Sequence, residues 1–162
     1  MIVLRWVIRL VAVLAVLVGL VFVGARLHDG PFGPIPGGAL AGGALVAAPV
    51  ADWSFAKDVV EIELQLVSQS TSRTTWIVVH DGKAYVPAAT DFPPGKTWHR
   101  AALADGRAIL RIAGTRYPVT LTKLDDTATL AAVRDVAFKK YPARPGGEVW
   151  LFAVTSRAPN AT

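Results

Sequence analysis

The stretch that decides the fold is TTWIVVHDGKAYVPA, residues 74–88. Its two halves, residues 74–80 and 83–88, are rich in β-branched and aromatic residues, which favour extended strands. Asp81-Gly82 separates the halves, and this dipeptide is a preferred two-residue turn of β-hairpins. The stretch therefore predicts an antiparallel hairpin.

Further strands are predicted on both sides of this hairpin. Before it lies a segment in which every second residue is apolar, the period of a half-buried strand: Val60, Ile62, Leu64 and Leu66. After it, residues 107–113 and 116–124 predict a second hairpin across Gly114-Thr115, and residues 148–155 predict a final strand. The final strand is apolar on both sides, so it is either buried on both faces or lies at a contact between subunits.

Two helices are predicted between the strands. A short helix covers residues 97–104, and a longer one begins at Asp126 or Thr127, either of which is a suitable N-cap, and ends near residue 140. The longer helix carries one apolar stripe, formed by Leu130, Val133 and Ala137. Together these elements predict a mainly β, α+β fold with two helices, in which antiparallel strands form a split β-barrel.

An uncharged apolar run precedes the predicted barrel. Residues 10–25, LVAVLAVLVGLVFVGA, are bracketed by arginines at positions 5, 9 and 26. A helix of this length spans about 24 Å, against about 30 Å for bilayer hydrocarbon. The run is either a transmembrane anchor, with its basic start held in the cytoplasm, or a secretory signal that ends in Val23-Gly24-Ala25. A buried core helix is disfavoured because the run has no polar face.

These patterns divide the chain into four segments. Residues 1–27 form the anchor or signal, 28–50 a Gly- and Pro-rich linker, 51–158 the split barrel, and 159–162 a tail with the sequon Asn160-Ala161-Thr162. The linker is expected to be a flexible tether that lies partly against the barrel, because it also carries apolar residues. An anchor places the protein in the bacterial inner membrane as a single-pass protein, with the barrel on the periplasmic side.

Composition disfavours several kinds of function. The chain has no cysteine, so disulfides and thiolate chemistry are excluded. From residue 51 onward, 14 Lys and Arg and 11 Asp and Glu are scattered along the chain, so no nucleic-acid interface is predicted. The three histidines lie in separate segments without the spacing of metal ligands, so no metal site is predicted. Glu61 and Glu63 share a strand face, which a solvated surface explains better than a catalytic pair.

Three segments in a fixed order resemble one known superfamily. They are TWIVVHDGKAYV at residues 75–86, TWHRAALAD at residues 97–105, and the second hairpin at residues 108–119. In this order the chain resembles the flavin- and deazaflavin-binding split β-barrel superfamily, which includes pyridoxamine-phosphate-oxidase-like and deazaflavin-dependent nitroreductase-like proteins. The resemblance covers about residues 59–124. PGGAL at 36–40 and DWSF at 52–55 resemble an uncharacterised membrane-anchored branch of that superfamily.

The resemblance implies a cofactor, flavin mononucleotide (FMN) or a deazaflavin, and positions that hold it. The loop and strand before the first hairpin offer the superfamily's cofactor phosphate a cation and hydroxyls, and the matching positions are Ser72, Arg73, Thr74 and Thr75. A guanidinium suits a phosphate, although an exposed arginine in a polar loop is the alternative. Lys96 and Arg100 either close over the anion or are solvated, and Trp98 either packs under the flavin ring or belongs to the core.

Two functions remain open from the sequence. One is a membrane-tethered barrel that binds a flavin or deazaflavin as an oxidoreductase, in which the cofactor carries the chemistry. The other is a non-catalytic envelope module that binds a small ligand or a protein on the same barrel, with a structural accessory subunit as a third, weaker candidate. Ala102 stands where the superfamily often has Asn, a departure that favours a barrel without flavin. No catalytic residue is identified, and the apolar final strand predicts a homodimer contact.

Overall fold

A computed structural model describes residues 2–142 and 147–159. The elements in these residues are α1 (Ile2–Leu27), β1 (Glu61–Leu66), β2 (Ser72–Trp76), β3 (Val78–His80), β4 (Lys83–Ala89), α2 (Trp98–Ala104), β5 (Arg107–Ile112), β6 (Thr115–Lys123), α3 (Thr127–Lys140) and β7 (Val149–Ser156). The predicted fold class, α+β with a curled antiparallel sheet and one long apolar N-terminal helix, is confirmed. The sequon at residues 160–162 lies outside the described residues.

The sheet closes because its two outermost strands are consecutive in the chain. The strand order is β2-β1-β5-β6-β7-β4-β3, and every neighbouring pair is antiparallel. Only Ile77 separates β2 from β3, so the covalent chain brings the two edges of the sheet together. The sheet must therefore curl into a split barrel.

The single strand predicted at residues 74–80 is thus two strands at opposite edges. Ile77 is fully buried, and its backbone N–H and C=O bond to side chains instead of to a neighbouring strand. Its N–H donates to the Tyr141 hydroxyl at 3.2 Å, and its carbonyl lies 2.7 Å from that oxygen and accepts from Lys140 Nζ at 3.0 Å. The Tyr141 ring also stacks on Trp76 at 4.4 Å between ring centroids. These contacts hold the chain where it passes from one edge to the other.

The two hairpin turns use backbone conformations with positive φ. Asp81 and Gly82 have φ of 49° and 70°, which confirms the predicted turn of the first hairpin. In the second hairpin the turn residues are Ala113 and Gly114, with φ of 47° and 78°, and Thr115 already belongs to β6. The predicted Gly114-Thr115 turn was therefore wrong by one residue, since the turn needs positive φ at both central positions.

The register places the starts of β2, β5 and β7 and the ends of β1, β4 and β6 at one end of the barrel, which we call the Arg73 end. Trp98 of α2 packs into the core here, 5.6 Å from Phe152 between ring centroids. Near the opposite end, Trp53 packs against Tyr117 in the same way, at 5.5 Å. Apolar side chains of the strands fill the interior between the two tryptophans.

Helix α3 covers one half of the outer surface of the barrel. Asp126 is its N-cap and accepts a hydrogen bond from the Thr129 N–H at 2.8 Å. Its fully buried Val133 packs on Leu151, which lies on the outer face of β7. On the inner face of the same strand, Phe152 is fully buried in the barrel core. The final strand is therefore buried on both faces within one chain, the first of the two predicted alternatives.

The other half of the outer surface is covered by residues 28–46, which we call the strap. Gly37 pairs with Ser72 at the start of β2, and Val46 donates its N–H to the Arg116 carbonyl at 2.9 Å. Between these points, Leu40 is buried and its N–H donates to the Gln65 side chain at 2.8 Å. The strap is thus bonded to the barrel along its length.

Arg111 joins the strap to two strands of the barrel. Its side chain is 12% exposed; Nε donates to Glu63 on β1, and Nη1 lies 3.0 Å from the Asp29 carboxylate of the strap. Burial alone would raise the pKa of Asp29, but hydrogen bonds from the Ala41 N–H and from Arg111 outweigh it and lower that pKa. The network therefore holds an ionised carboxylate at neutral pH.

Helix α1 does not pack into the barrel. The span Val3–Leu27 has a mean hydropathy of 2.8, and apart from Ala25 near its end its residues are exposed, which rules out the core-helix interpretation. The helix is long and apolar enough to cross a membrane, and a signal sequence would have the same character.

Replacing Arg111 tests the strap. We expect Arg111→Met to lower the free energy of unfolding by about 1–2 kcal/mol, because Glu63 and Asp29 then lose their partner in a partly buried site. Urea unfolding of the full chain in detergent, followed by tryptophan fluorescence, measures the change. Arg107→Met is the control, because Arg107 pairs only with the nearby Asp105 at an exposed position. Equal effects of the two substitutions would contradict the assigned role of the strap.

The pH dependence of stability tests the contact of Tyr141 with Ile77. Burial raises the pKa of Tyr141 from 10.0 to about 12. Between these values the unfolded chain releases the proton while the folded chain keeps it, so stability falls as pH rises, by about 1.4 kcal/mol per pH unit. Tyr141→Phe should remove the fall in the free energy of unfolding that this titration causes, whereas Tyr117→Phe should retain it. Identical alkaline unfolding profiles for wild type and Tyr141→Phe would refute the assignment.

Candidate anion-binding site

Strand alternation separates the four residues predicted on β2 into two pairs. Arg73 lies opposite Leu64 and Thr75 opposite Ile62 in the register with β1, and both partners are buried core residues. Side chains directly opposite each other in a sheet share one face. Arg73 and Thr75 therefore face the interior of the barrel.

The other two residues, Ser72 and Thr74, face the strap. Ser72 Oγ donates to the Gly38 carbonyl at 2.5 Å, and Thr74 Oγ1 donates to the Gly33 carbonyl at 2.8 Å. Each hydroxyl has one hydrogen to donate, and a strap carbonyl accepts it. The structure thus does not bring these hydroxyls together with Arg73.

Arg73 is a half-buried, partly desolvated cation at the end of the barrel. Its guanidinium carbon lies 5.7 Å from the Trp98 ring centroid, and Nη2 donates to Gln69 Oε1 at 2.6 Å. Nε is buried and has no hydrogen-bond partner. None of the ion pairs among the described residues includes Arg73, and burial lowers its pKa to about 10. The side chain therefore carries a positive charge with only a neutral amide as its polar partner.

Lys96 adds a second cation beside Arg73. It lies half-buried in the loop between β4 and α2. Burial and then the charge of Arg73 lower the pKa of Lys96, while Asp91 opposes the shift. Arg100 is exposed on α2 and does not join Arg73 in the interior. Of the three cations predicted for the site, the structure brings two together.

Trp98 is a core residue that also contacts Arg73. It is 3% exposed and belongs to the core of the barrel, as does the small Ala102 one turn later on α2. Its ring contacts the guanidinium of Arg73 and the ring of Phe152. Cation–π contact of this kind holds a guanidinium in place without neutralising its charge.

Two residues that the sequence did not single out extend the site. His99 is 1% exposed, and neither of its ring nitrogens has a hydrogen-bond partner. Its ring meets the edge of Trp150 at 5.1 Å, and Trp150 Nε1 is also buried without a partner. Burial, followed by the charges of Lys96 and Arg100, lowers the pKa of His99, so its ring is neutral at pH 7. The only sequence signal was its position next to Trp98.

Arg73, Lys96, Trp98, His99 and Trp150 form what we call the Arg73 cluster. Within the described part of the chain, the buried side-chain nitrogens and oxygens without a partner are Arg73 Nε, both nitrogens of His99 and Trp150 Nε1. A buried polar group without a partner costs about 1–3 kcal/mol. The unpartnered Nε of Arg73, with the charge of Lys96 acting on the same guanidinium, is suited to an anion, because anion oxygens accept hydrogen bonds while the anion's charge offsets the positive charges.

The chain matches the family described as "Uncharacterized protein conserved in bacteria (DUF2255)" over residues 56–162. It belongs to this family. The match spans the whole barrel from before β1 to the end of the chain, and so includes the Arg73 cluster of this DUF2255 member.

No curated protein matches this DUF2255 chain. Among solved structures, it is similar to a protein of Listeria innocua described as "Putative Pyridoxamine 5'-phosphate oxidase", with 11% sequence identity and a TM-score of 0.44. The similarity covers 63% of this chain and 89% of the Listeria chain.

The cluster suits the phosphate group of a flavin nucleotide, but it offers no place for the flavin ring. Arg73 and Lys96 supply the positive charge that a phosphate needs, and Arg73 Nε is a donor without a partner. Trp98 is packed in the core under a guanidinium, so it does not present an open face for a flavin ring. The residues present therefore favour an anionic group as the part of a ligand that is recognised.

A half-buried charge that is retained for ligand binding should lower the stability of the fold. We expect Arg73→Met to leave the melting temperature of the full chain unchanged or to raise it, because an apolar side chain of similar length removes the cost of desolvating a charge. Thermal unfolding followed by tryptophan fluorescence, in buffer without phosphate, measures this. Arg111→Met serves as the comparison and should melt earlier. A clear loss of stability in Arg73→Met would show that Arg73 is a structural residue.

Proposed function

We propose that this protein binds a small phosphate-bearing molecule at the Arg73 end of its barrel. FMN or a deazaflavin is the ligand class that the superfamily resemblance implies. The observation that supports the proposal is the partly desolvated guanidinium of Arg73, which has no carboxylate partner among the described residues and has an unpartnered Nε. A fold retains such a charge at a cost to stability, and a bound anion offsets that cost.

Each residue of the cluster has its own part in binding the ligand. Arg73 donates hydrogen bonds to the phosphate, and Lys96 adds positive charge from the loop between β4 and α2. The neutral imidazole of His99 can donate one hydrogen bond and accept another. Of the other positions that the superfamily resemblance implies, Thr75 faces the interior with Arg73. Ser72 and Thr74 face the strap, and Arg100 is exposed on α2. When bound, a flavin or deazaflavin would supply hydride or electron transfer, and the protein would supply orientation and charge.

A non-catalytic binding module is the second candidate. The buried Trp98 ring favours it, because the cluster then recognises an anion without a platform for a flavin ring. Ala102, in the position where the superfamily often has Asn, favours it as well.

We also propose that α1 tethers the barrel to the periplasmic face of the bacterial inner membrane. The homodimer likewise remains a prediction.

FMN binding by the full chain in detergent tests the leading function. We expect the visible spectrum and fluorescence of FMN to change on saturable binding. Arg73→Met should weaken the affinity by about 10- to 100-fold, since a charge-assisted hydrogen bond contributes about 1.5–3 kcal/mol. A deazaflavin that carries a phosphate should respond to the substitution in the same way.

Two controls isolate the phosphate. Riboflavin, which lacks the phosphate, should bind weakly and with the same affinity in wild type and Arg73→Met. Arg134→Met changes an exposed arginine on α3 and should bind FMN as wild type does. Absence of binding to both FMN and deazaflavin would overturn the cofactor proposal. Binding of inorganic phosphate that depends on Arg73 would then favour the module.

A further inference from the structure

The Arg73 end of the barrel exposes three large apolar side chains. Val67 lies in the loop between β1 and β2, Phe92 in the loop between β4 and α2, and Leu103 on α2, with exposed fractions of 46%, 64% and 53%. The register places all three at one end, because they follow the ends of β1 and β4 or precede the start of β5. This end is therefore an apolar rim around the Arg73 cluster.

Two cations accompany the apolar rim. Arg100 precedes Leu103 by three residues, so both lie on the outward face of α2, while Trp98 and His99 face inward. Lys96 lies in the loop just before α2. Within the described residues, neither Lys96 nor Arg100 forms an ion pair, whereas the nearby Arg107 pairs with Asp105. Positive charge is thus available beside the apolar side chains.

Helix α1 joins the barrel at this same end. Gly38 donates its N–H to the His28 carbonyl at 3.0 Å and accepts from Ser72 Oγ, and Ser72 is the first residue of β2. A Cβ at position 38 would lie 2.7 Å from the carbonyl oxygens of both Arg26 and His28, so the last turn of α1 packs directly on Gly38. The strap therefore holds the end of α1 against the barrel.

The length of α1 fixes where a bilayer would lie. Its 26 residues span about 39 Å, more than the roughly 30 Å of hydrocarbon, so both ends of the helix would reach the headgroups. Arg26 in its last turn would lie at the headgroup level. Because that turn packs on Gly38, and Gly38 is bonded to Ser72 at the start of β2, the Arg73 end would lie close to the same surface.

We propose that the Arg73 end of the barrel rests on the lipid bilayer. Val67, Phe92 and Leu103 insert at the interface, and the exposed Arg100 lies beside lipid phosphates. Surfaces that combine apolar side chains with basic residues bind membranes in this way, more strongly when the lipids are anionic. The inference rests on α1 lying in the membrane and is independent of the identity of any ligand.

The opposite end of the barrel supplies the contrast. Phe55 and Val60 are also exposed there, but Gly38, on which the last turn of α1 packs, is bonded to Ser72 at the Arg73 end. Exposure alone does not distinguish the two ends; the attachment of α1 does. A ligand of the Arg73 cluster would then approach it along the plane of the lipid headgroups.

Single-cysteine labelling of the full chain tests this orientation. Because the chain has no cysteine, each of Val67→Cys, Phe92→Cys, Leu103→Cys and Val60→Cys carries one environment-sensitive fluorophore. The labelled proteins are placed in nanodiscs of phosphatidylcholine and phosphatidylglycerol, with or without a lipid that carries a quencher near its headgroup. We expect the labels at 67, 92 and 103 to shift to the blue and to lose most of their fluorescence to the quencher. The label at 60 should do neither.

Either of two other outcomes would overturn the proposal. Equal quenching at positions 60 and 103 would mean that the barrel tumbles above the membrane. A blue shift at 92 and 103 without quenching would mean that a second copy of the chain, and not lipid, covers this end. Repeating the measurement in discs of phosphatidylcholine alone tests the role of the exposed cation Arg100, and quenching should decrease there because the anionic lipid is absent.

Discussion

The passage of the chain from one edge of the sheet to the other, through the single residue Ile77, is the constraint on which the structure depends. Antiparallel sheets can remain open, but a sheet whose two outermost strands are separated by one residue must close. Tyr141 and Lys140 hold the backbone of Ile77 at this point, so the last turn of α3 takes part in closing the barrel. Closure in turn creates an interior with two ends, and one of those ends contains Arg73.

The Arg73 end combines features that a purely structural barrel end would avoid. A guanidinium without a carboxylate, a lysine beside it and a buried imidazole without partners each lower the stability of the fold. Elsewhere on the barrel, arginine is used differently: Arg111 is paired with two carboxylates and ties the strap to the sheet. The contrast between these two arginines supports a binding role for Arg73 more strongly than its position in the sequence does.

Much of the fold could be predicted from local patterns. Alternation identified β1, the turn at Asp81-Gly82 identified the first hairpin, and the N-cap at Asp126 identified the start of α3. The break at Ile77 could not be predicted, because Ile and Val are strong strand formers and the partner of its backbone, Tyr141, is 64 residues away. For the site, the same alternation that predicted the strands separates Arg73 from Ser72 and Thr74. His99 and Trp150 come together only through the fold.

The measurement that tests the central claim most directly is NMR of the arginine side chains. In the full chain labelled with ¹⁵N-arginine in detergent, the Nε–H signal of Arg73 is assigned by its loss in Arg73→Lys. On addition of FMN or inorganic phosphate, that signal should move downfield while those of Arg111 and Arg134 remain in place, because among the arginines that the structure describes Arg73 alone has a buried Nε without a partner. If the Arg73 signal does not move with either anion at saturating concentration, the cluster is not an anion-binding site.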